Sequence, residues 1–462
     1  MVNAIAMEAI ETYRQEFMDL ADKIWNQPEV AYQEHCAAQW TAQLLEQHGF
    51  QVERGAYGIP TALRASWGSG RPVIGFLGEY DALAHLSQTV SAQRDPIPGQ
   101  MYGHACGHNI LGVGHLAAAV AMKEEMEARK LEGIVIFYGC PAEEVGTGKG
   151  LMAKNGAFQE LDAAMAYHPS WFNYIFTGGK KGVHSVQVDF FGKSSHSGSS
   201  PHNGRSALLA AEMANLAATM IQRQLPPDCS LSGAVAEAFS PGQIPEHCTD
   251  RFNVAAGTLR DLELVHQRLE NLVAGVAQIT ETTYQIQRMG GCCPLLNNRV
   301  LANVAYEAMT AAPREPWSQE EIEFARKLNA TTPGPYQMKL KEARDAGITV
   351  EDMQIFDGIL PMRTFDTNGS TDVGDVSHIV PTIFFKVCCY NMGTNGHTWQ
   401  ATACAGSSIG VKGMLFAARV LAMAGLKVME HPELLEAAKE EFLAQTKDQP
   451  YISSLPDDYH PF

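Results

Sequence analysis

Short apolar runs of strand length punctuate the chain, and each hands over at once to polar, chemically equipped residues. Pro72–Gly78 runs into Glu79-Tyr80-Asp81, and Ile134–Tyr138 precedes Pro141-Ala142-Glu143-Glu144. Ala163–Tyr167 ends on His168, and Pro381–Val387 leads into the loop that carries His397. Continuous apolar runs of this length fit strands buried on both faces. Between them, apolar residues recur at helical spacing over 3–25, 35–48 and 110–130, with a shorter helix at 147–157. Strands alternating with helices predict an α/β fold with a largely parallel sheet. Ligand sites in such sheets lie beyond the carboxyl ends of the strands, which is where these polar groups fall.

At about residue 183 the pattern changes. Val183–Phe191 alternates as a half-solvated strand should, and a Gly/Ser loop (192–204) precedes an Ala/Leu/Met helix at 205–223. Strand-like runs near 230–238 and 251–259, a helix at 262–280 and a strand at 282–288 follow. This β-α-β-β-α-β order is that of a ferredoxin-like module. The expected organisation is a catalytic domain in two parts, 1–183 and 294–462, with 184–293 inserted as a lid or dimerisation domain. Within the second part, the charged, Pro-punctuated segment 313–365 reads as a surface insertion of helices. Further helices are expected at 297–311, 405–426 and 432–446.

Composition narrows the picture. A chain of 462 residues exceeds one ordinary core, so two domains are expected. Its 45% hydrophobic and 18% charged residues are those of a globular protein. A formal net charge of −17 argues against nucleic acid or an anionic membrane as partner. No run approaches the roughly 20 apolar residues of a membrane span. The first residues are acidic where a signal peptide would be basic, so they read as a helix. Ten cysteines without a small-scaffold pattern point to reduced thiols in a cytoplasmic enzyme.

Gly103–Asn109 packs one thiol and two imidazoles into seven residues. Cys106 and His108 are one residue apart, so an extended chain would point both to one side. A thiolate with an imidazole suits a borderline-soft divalent metal. With Glu144, His168 and His397 the set reaches five groups, more than the three that usually hold one catalytic zinc. Two divalent ions sharing a ligand, zinc or manganese, are expected, holding a hydroxide for attack on a polarised carbonyl. Glu143, next to a ligand, is the expected general base. Asp81 would accept the second ring proton of a ligand histidine. His196, in the small-residue loop Lys193–Gly198, could donate to a tetrahedral oxyanion. Arg260, read as ending a strand, could pair with a substrate carboxylate.

Six motifs, GEYDAL, GHACGHN, PAEE, YHP, SSHSGSSPHNGRSAL and GHTW, occur in this order over almost the whole chain. Together they resemble the di-metal aminoacylase and carboxypeptidase family of metallopeptidases, and within it the amidohydrolase branch. The resemblance implies that Cys106 bridges the metals and that the protein is a homodimer in which His196 completes the partner's active site. It also implies hydrolysis of an amide between an acyl or aroyl group and an amino acid, such as a p-aminobenzoyl-glutamate-like conjugate. A dipeptidase acting on β- or ω-linked dipeptides and a non-catalytic partner subunit are the alternatives. Three departures stand out, one being that the Asn-Val-Ile-Pro-like element of the lid is not evident, with His247 lying near where it should be. Peptidase members carry a histidine two residues before the strand-end aspartate; Glu79 stands there, so that ligand is absent and Cys106-x-His108 must substitute. Relatives also usually show Asp and a further His after Cys-Gly-His, where Asn109-Ile110-Leu111 follows here.

Overall fold

The structure is a computed structural model that describes residues 3–237, 242–364, 369–447 and 450–462. Residues 238 and 365, the last of two expected segments, and residues 1 and 2 lie outside it.

Five strands of the largest sheet come first: β1 (Gln51–Arg54), β2 (Leu63–Ser69), β3 (Val73–Glu79), β4 (Gly133–Cys140) and β5 (Ala163–Ser170). The chain then forms β6 (Gly182–Phe191), β7 (Ser230–Glu237), β8 (His247–Ala256) and β9 (Thr283–Cys292), and returns with β10 (Thr382–Cys388). One six-stranded sheet has the order β1-β2-β4-β3-β5-β10. From β4 to β10 its neighbours are parallel, while β1, β2 and β4 pair antiparallel. The carboxyl ends of β3, β4, β5 and β10 therefore share one edge. Every residue of β3 and β10 is buried, which explains their unbroken apolar sequences. Helix α1 (His108–Arg129) covers one face; its apolar first turns pack on β3, and its charged end reaches solvent.

A second sheet, antiparallel throughout, has the order β7-β8-β6-β9. Helices α2 (Ala207–Gln222) and α3 (Leu259–Thr280) pack on it around a separate apolar cluster. α2 presents alanines to that cluster and leaves Leu209, Met213, Leu216 and Met220 exposed.

Several expectations need correction. The strand placed near 251–259 is His247–Ala256. Thr258 then caps α3, its hydroxyl accepting from the Asp261 amide at 3.1 Å, so Arg260 lies in the first turn of a helix and is exposed. The segment 313–365 is not mere surface decoration. Helices α4 (Gln319–Thr331) and α5 (Pro333–Asp345) bury Leu328, Leu340 and Ala343, and Lys339, Glu342 and Arg363 line the main cavity. Finally, α6 (Ser408–Glu430) is long and apolar enough to cross a membrane by length and composition. Lys412 and Arg419 interrupt it, so a search for unbroken apolar runs passes over it. It is 83% buried over its apolar window and packs along α1, as a core helix does.

Candidate active site

The strand ends deliver their polar groups to one place. Past β3, Asp81 turns inward and organises two neighbours: His108 Nδ1 donates to its Oδ1 at 2.9 Å, and the Glu144 amide donates to its Oδ2 at 2.8 Å. Cys106 and His108 do not lie on an extended chain. Gly107 adopts φ +76° between them, and His108 opens α1. A Cβ at Gly107 would stand 2.6 Å from the Tyr390 hydroxyl, so the turn needs glycine on two counts. The tight turn still brings both side chains together. His104, the other imidazole of this stretch, turns away to the Ile24 carbonyl.

Beyond β4, a one-turn helix, Glu143–Val145, presents both glutamates. The buried Glu34 carboxylate accepts from the amides of Ala142 and Tyr32 and from the Thr61 hydroxyl, which fixes that turn. Burial pushes Glu34 up to about 8. At the end of β5, His168 Nδ1 donates to the Pro169 carbonyl at 2.7 Å, leaving Nε2 facing Cys106 Sγ at 3.2 Å. His397 reaches in from the loop after β10, with Nε2 3.3 Å from Glu144 Oε2. Asn329 on α4 braces this loop by accepting from Asn391 Nδ2 and the Gly393 amide.

Among the described residues, three ligand groups gather within 4.8 Å: Cys106–His108–His168, Cys106–Glu144–His397 and Glu79–His108–Glu143. Cys106 belongs to the first two. Glu79, expected only as a missing histidine, therefore brings a carboxylate to the cluster, with Oε2 3.3 Å from His108 Nε2. Its other oxygen is 2.5 Å from Lys149 Nζ, which also meets Asp372 Oδ1 at 2.6 Å. Sequence reasoning missed this triad, Glu34 and Lys386. The available signals were a lysine within the glycine-rich turn after PAEE, and another inside the apolar strand Phe384-Phe385-Lys386-Val387.

The electrostatics fit divalent cations. His108 Nε2, Glu79 Oε2 and Glu144 Oε1 are buried and without hydrogen-bond partners. Burial pushes the Cys106 thiol up to about 12, so a nearby cation is what would make it a thiolate ligand. Burial, reinforced by Glu143 and Asp81 against His108, pushes Glu144 well above the carboxylate range. Burial also holds His168 well below its ordinary value, with Lys386 adding to the shift, so its imidazole stays neutral. Carboxylates, imidazoles and one thiol together form a donor set that suits a divalent metal ion. The cluster opens into a cavity of ≈ 850 Å³ lined by residues from the neighbourhoods of both sheets.

His196 and Arg260 do not line that cavity. His196 is exposed, and its Nδ1 accepts from the amides of Gly198 and Ser199 at 3.1 Å each, which leaves the ring proton on Nε2.

The arrangement has counterparts among known proteins. The profile of peptidase family M20/M25/M40 matches residues 75–420. The chain belongs to that family. It is 34% identical over 470 residues to a p-aminobenzoyl-glutamate hydrolase chain of Escherichia coli, covering 98% of this chain and 97% of the other. It is 28% identical over 467 residues to the human Xaa-Arg dipeptidase, covering 97% and 93%. Among solved structures, a Bacillus subtilis protein described as a dinuclear metal binding peptidase of the M20 family shares the fold. That match has TM-score 0.58 and 15% identity, and covers 91% of this chain and 99% of that one. As a member of the M20 family the protein is a metal-dependent hydrolase of amide bonds.

Proposed function

We propose that the protein cleaves the amide of N-acyl or N-aroyl amino acids, p-aminobenzoyl-glutamate-like conjugates among them, at a two-metal centre. The observation that carries this reading is Cys106, shared by two ligand groups with Glu143 beside them. Cys106, His108 and His168 would hold one ion, and Cys106, Glu144 and His397 the other, zinc or manganese. Bound there, two such ions supply Lewis acidity for the amide carbonyl and for an attacking water. The p-aminobenzoyl-glutamate hydrolase relative and the dinuclear description of a fold neighbour support both halves of the reading.

The chain's own residues supply the rest. Glu143, at the cavity wall, takes the proton of the attacking water and returns it to the departing amine. Asp81 keeps the His108 proton on Nδ1, so that Nε2 presents a lone pair. His196 carries its proton on Nε2, free to donate to an oxyanion, yet does not line its own cavity. It therefore acts in the cavity of a second copy.

The exposed stripe Leu209, Met213, Leu216 and Met220 supports a homodimer through the β6–β9 unit, a ferredoxin-like module spanning 184–293 that serves as lid and dimer contact. The catalytic unit then comprises 1–183 and 294–462. The ten free cysteines are consistent with a cytoplasmic setting.

A dipeptidase is the second reading, favoured by the Xaa-Arg dipeptidase relative. Its free amino group would bring a positive charge into a cavity lined by Lys180, Lys339, Arg363 and Lys386. The deciding experiment is elemental analysis of wild type and Cys106→Ser with hydrolysis assayed on N-acyl amino acids and free-amine dipeptides. About two metals per chain, lost together with N-acyl hydrolysis in the variant, is the expected result. Preference for the free amine would favour the dipeptidase. Activity only after adding a second, different chain would favour a partner-subunit role.

A further inference from the structure

The cavity has a cationic wall, although the chain as a whole carries a formal charge of −17. Lys386 on β10 is the register partner of His168 on β5. Register partners on parallel strands leave the same face of the sheet, roughly 4.8 Å apart. Lys180 stands near the same spot: its Nζ is 5.4 Å from the Phe384 ring centroid, and Lys386 Nζ is 5.0 Å from it. The His168 ring is 6.0 Å from that ring as well.

Lys386 is 9% exposed, and its ammonium meets the Phe384 face but no carboxylate or hydrogen-bond acceptor among the described residues. An aromatic face is a weak substitute for an anion. A buried ammonium with no anion beside it is costly until a counter-charge arrives. None of the three lining carboxylates pairs with it: Glu143 and Glu144 stand with the ligand histidines His108 and His397, and Glu342 is taken by Lys339 at 2.7 Å and Arg363 at 2.6 Å. What faces Lys386 is the open cavity.

We propose that Lys386, with Lys180 beside it, is the subsite for the carboxylate of the departing amino acid. The proposal rests on the amidohydrolase reading above and names the group that sets its specificity. In an N-acyl amino acid the carboxylate is two bonds beyond the scissile nitrogen, so a cation one strand away from a ligand imidazole is within reach. Lys386 thereby takes the role that sequence reasoning gave to Arg260. A neutral carboxamide would leave the lysine unpaired, and sites built around a polar group discriminate strongly against analogues that lack it.

The test uses full-length, metal-loaded protein. Wild type, Lys386→Met and Lys386→Arg are assayed on the N-benzoyl amino acid that wild type cleaves best and on its α-carboxamide. The expected result is a fall of at least tenfold in the acid-to-amide ratio of kcat/KM for Lys386→Met, carried mainly by KM, and a ratio largely restored by Lys386→Arg. An unchanged ratio in a Lys386→Met protein with native circular dichroism and full metal content would overturn the subsite. Should Lys386→Met fail to fold, Lys386→Gln takes its place. Wild type inactive on every conjugate would instead sink the hydrolase reading. The subsite is then decided by calorimetric titration of N-benzoylglutamate into Glu143→Gln protein with and without Lys386→Met. At least tenfold weaker binding in the double variant is expected, and equal binding overturns the proposal.

Discussion

Lys149 Nζ lies 2.5 Å from Glu79 Oε1, and neither side chain reaches solvent. One buried ammonium thus pairs with both Glu79 and Asp372. Removing one partner of such a network leaves the remaining charges uncompensated. Lys149→Met is expected to cost about 3–5 kcal/mol of stability by chemical denaturation. Adding Glu79→Gln and Asp372→Asn should recover part of that loss; no recovery would mean that the lysine acts mainly through packing.

A Cys106 thiolate shared by two metals would make the metal count divisible. His168→Ala and His397→Ala are each expected to lose about one metal per chain, and Cys106→Ala to weaken both sites. Elemental analysis after dialysis reads this directly. Equal losses in all three variants would argue against a bridging role for Cys106.

Glu143→Gln should retain metal and melting temperature while kcat falls by about 10²–10⁴-fold. Activity within a few-fold of wild type would remove Glu143 from proton transfer.

His196 offers a test between subunits. Neither His196→Ala nor Glu143→Gln alone should be active. Mixed dimers carrying one variant on each chain would contain one intact site and recover about a quarter of wild-type activity after random mixing. No recovery would return His196 to its own subunit or to a structural role. Leu216→Glu with Met220→Glu, in the exposed stripe, should yield monomers by light scattering and lose activity in parallel.

Acid stability follows from buried neutral histidines. Burial holds His115 at about 3 and His378 at about 4, both below the ordinary imidazole value. The unfolded chain takes up these protons near pH 6.5, while the folded chain resists until pH 3 to 4. Stability is therefore complete above about pH 6.5 and falls as pH drops towards 4, by up to about 1.4 kcal/mol per pH unit for each group. His378→Asn should flatten the slope of melting temperature against pH across that window. An unaltered slope would show that the folded protein protonates there at no cost.

Much of the catalytic end was legible in the sequence because parallel strands are buried on both faces, and a polar residue straight after an apolar run is conspicuous. Asp81, Glu143, Glu144 and His168 were all found in this way, and the structure brings them together. Arg260 was misplaced because a strand that gives way to a capped helix looks, residue by residue, like a longer strand. Thr258 was the missed cap. The insertion at 313–365 was undervalued because its charged residues resemble a solvated face. Lys339, Glu342 and Arg363 satisfy each other within the cavity, a pairing that only tertiary contacts reveal. Lys149 and Asp372 are far apart in sequence, and no local pattern joins them.

The pairing of β5 with β10 sets the order in which this protein can be completed. The chain leaves the sheet after Ser170 and returns only at Thr382. Throughout synthesis of everything between, the emerging polypeptide carries an apolar strand with one edge open, the kind of edge that recruits other chains. The same delay withholds His397, so a nascent half-molecule has Cys106, His108 and His168 but not the group that gathers with Cys106 and Glu144. A chain truncated within that stretch therefore keeps this edge unpaired, and is expected to be more prone to aggregate than the full-length protein.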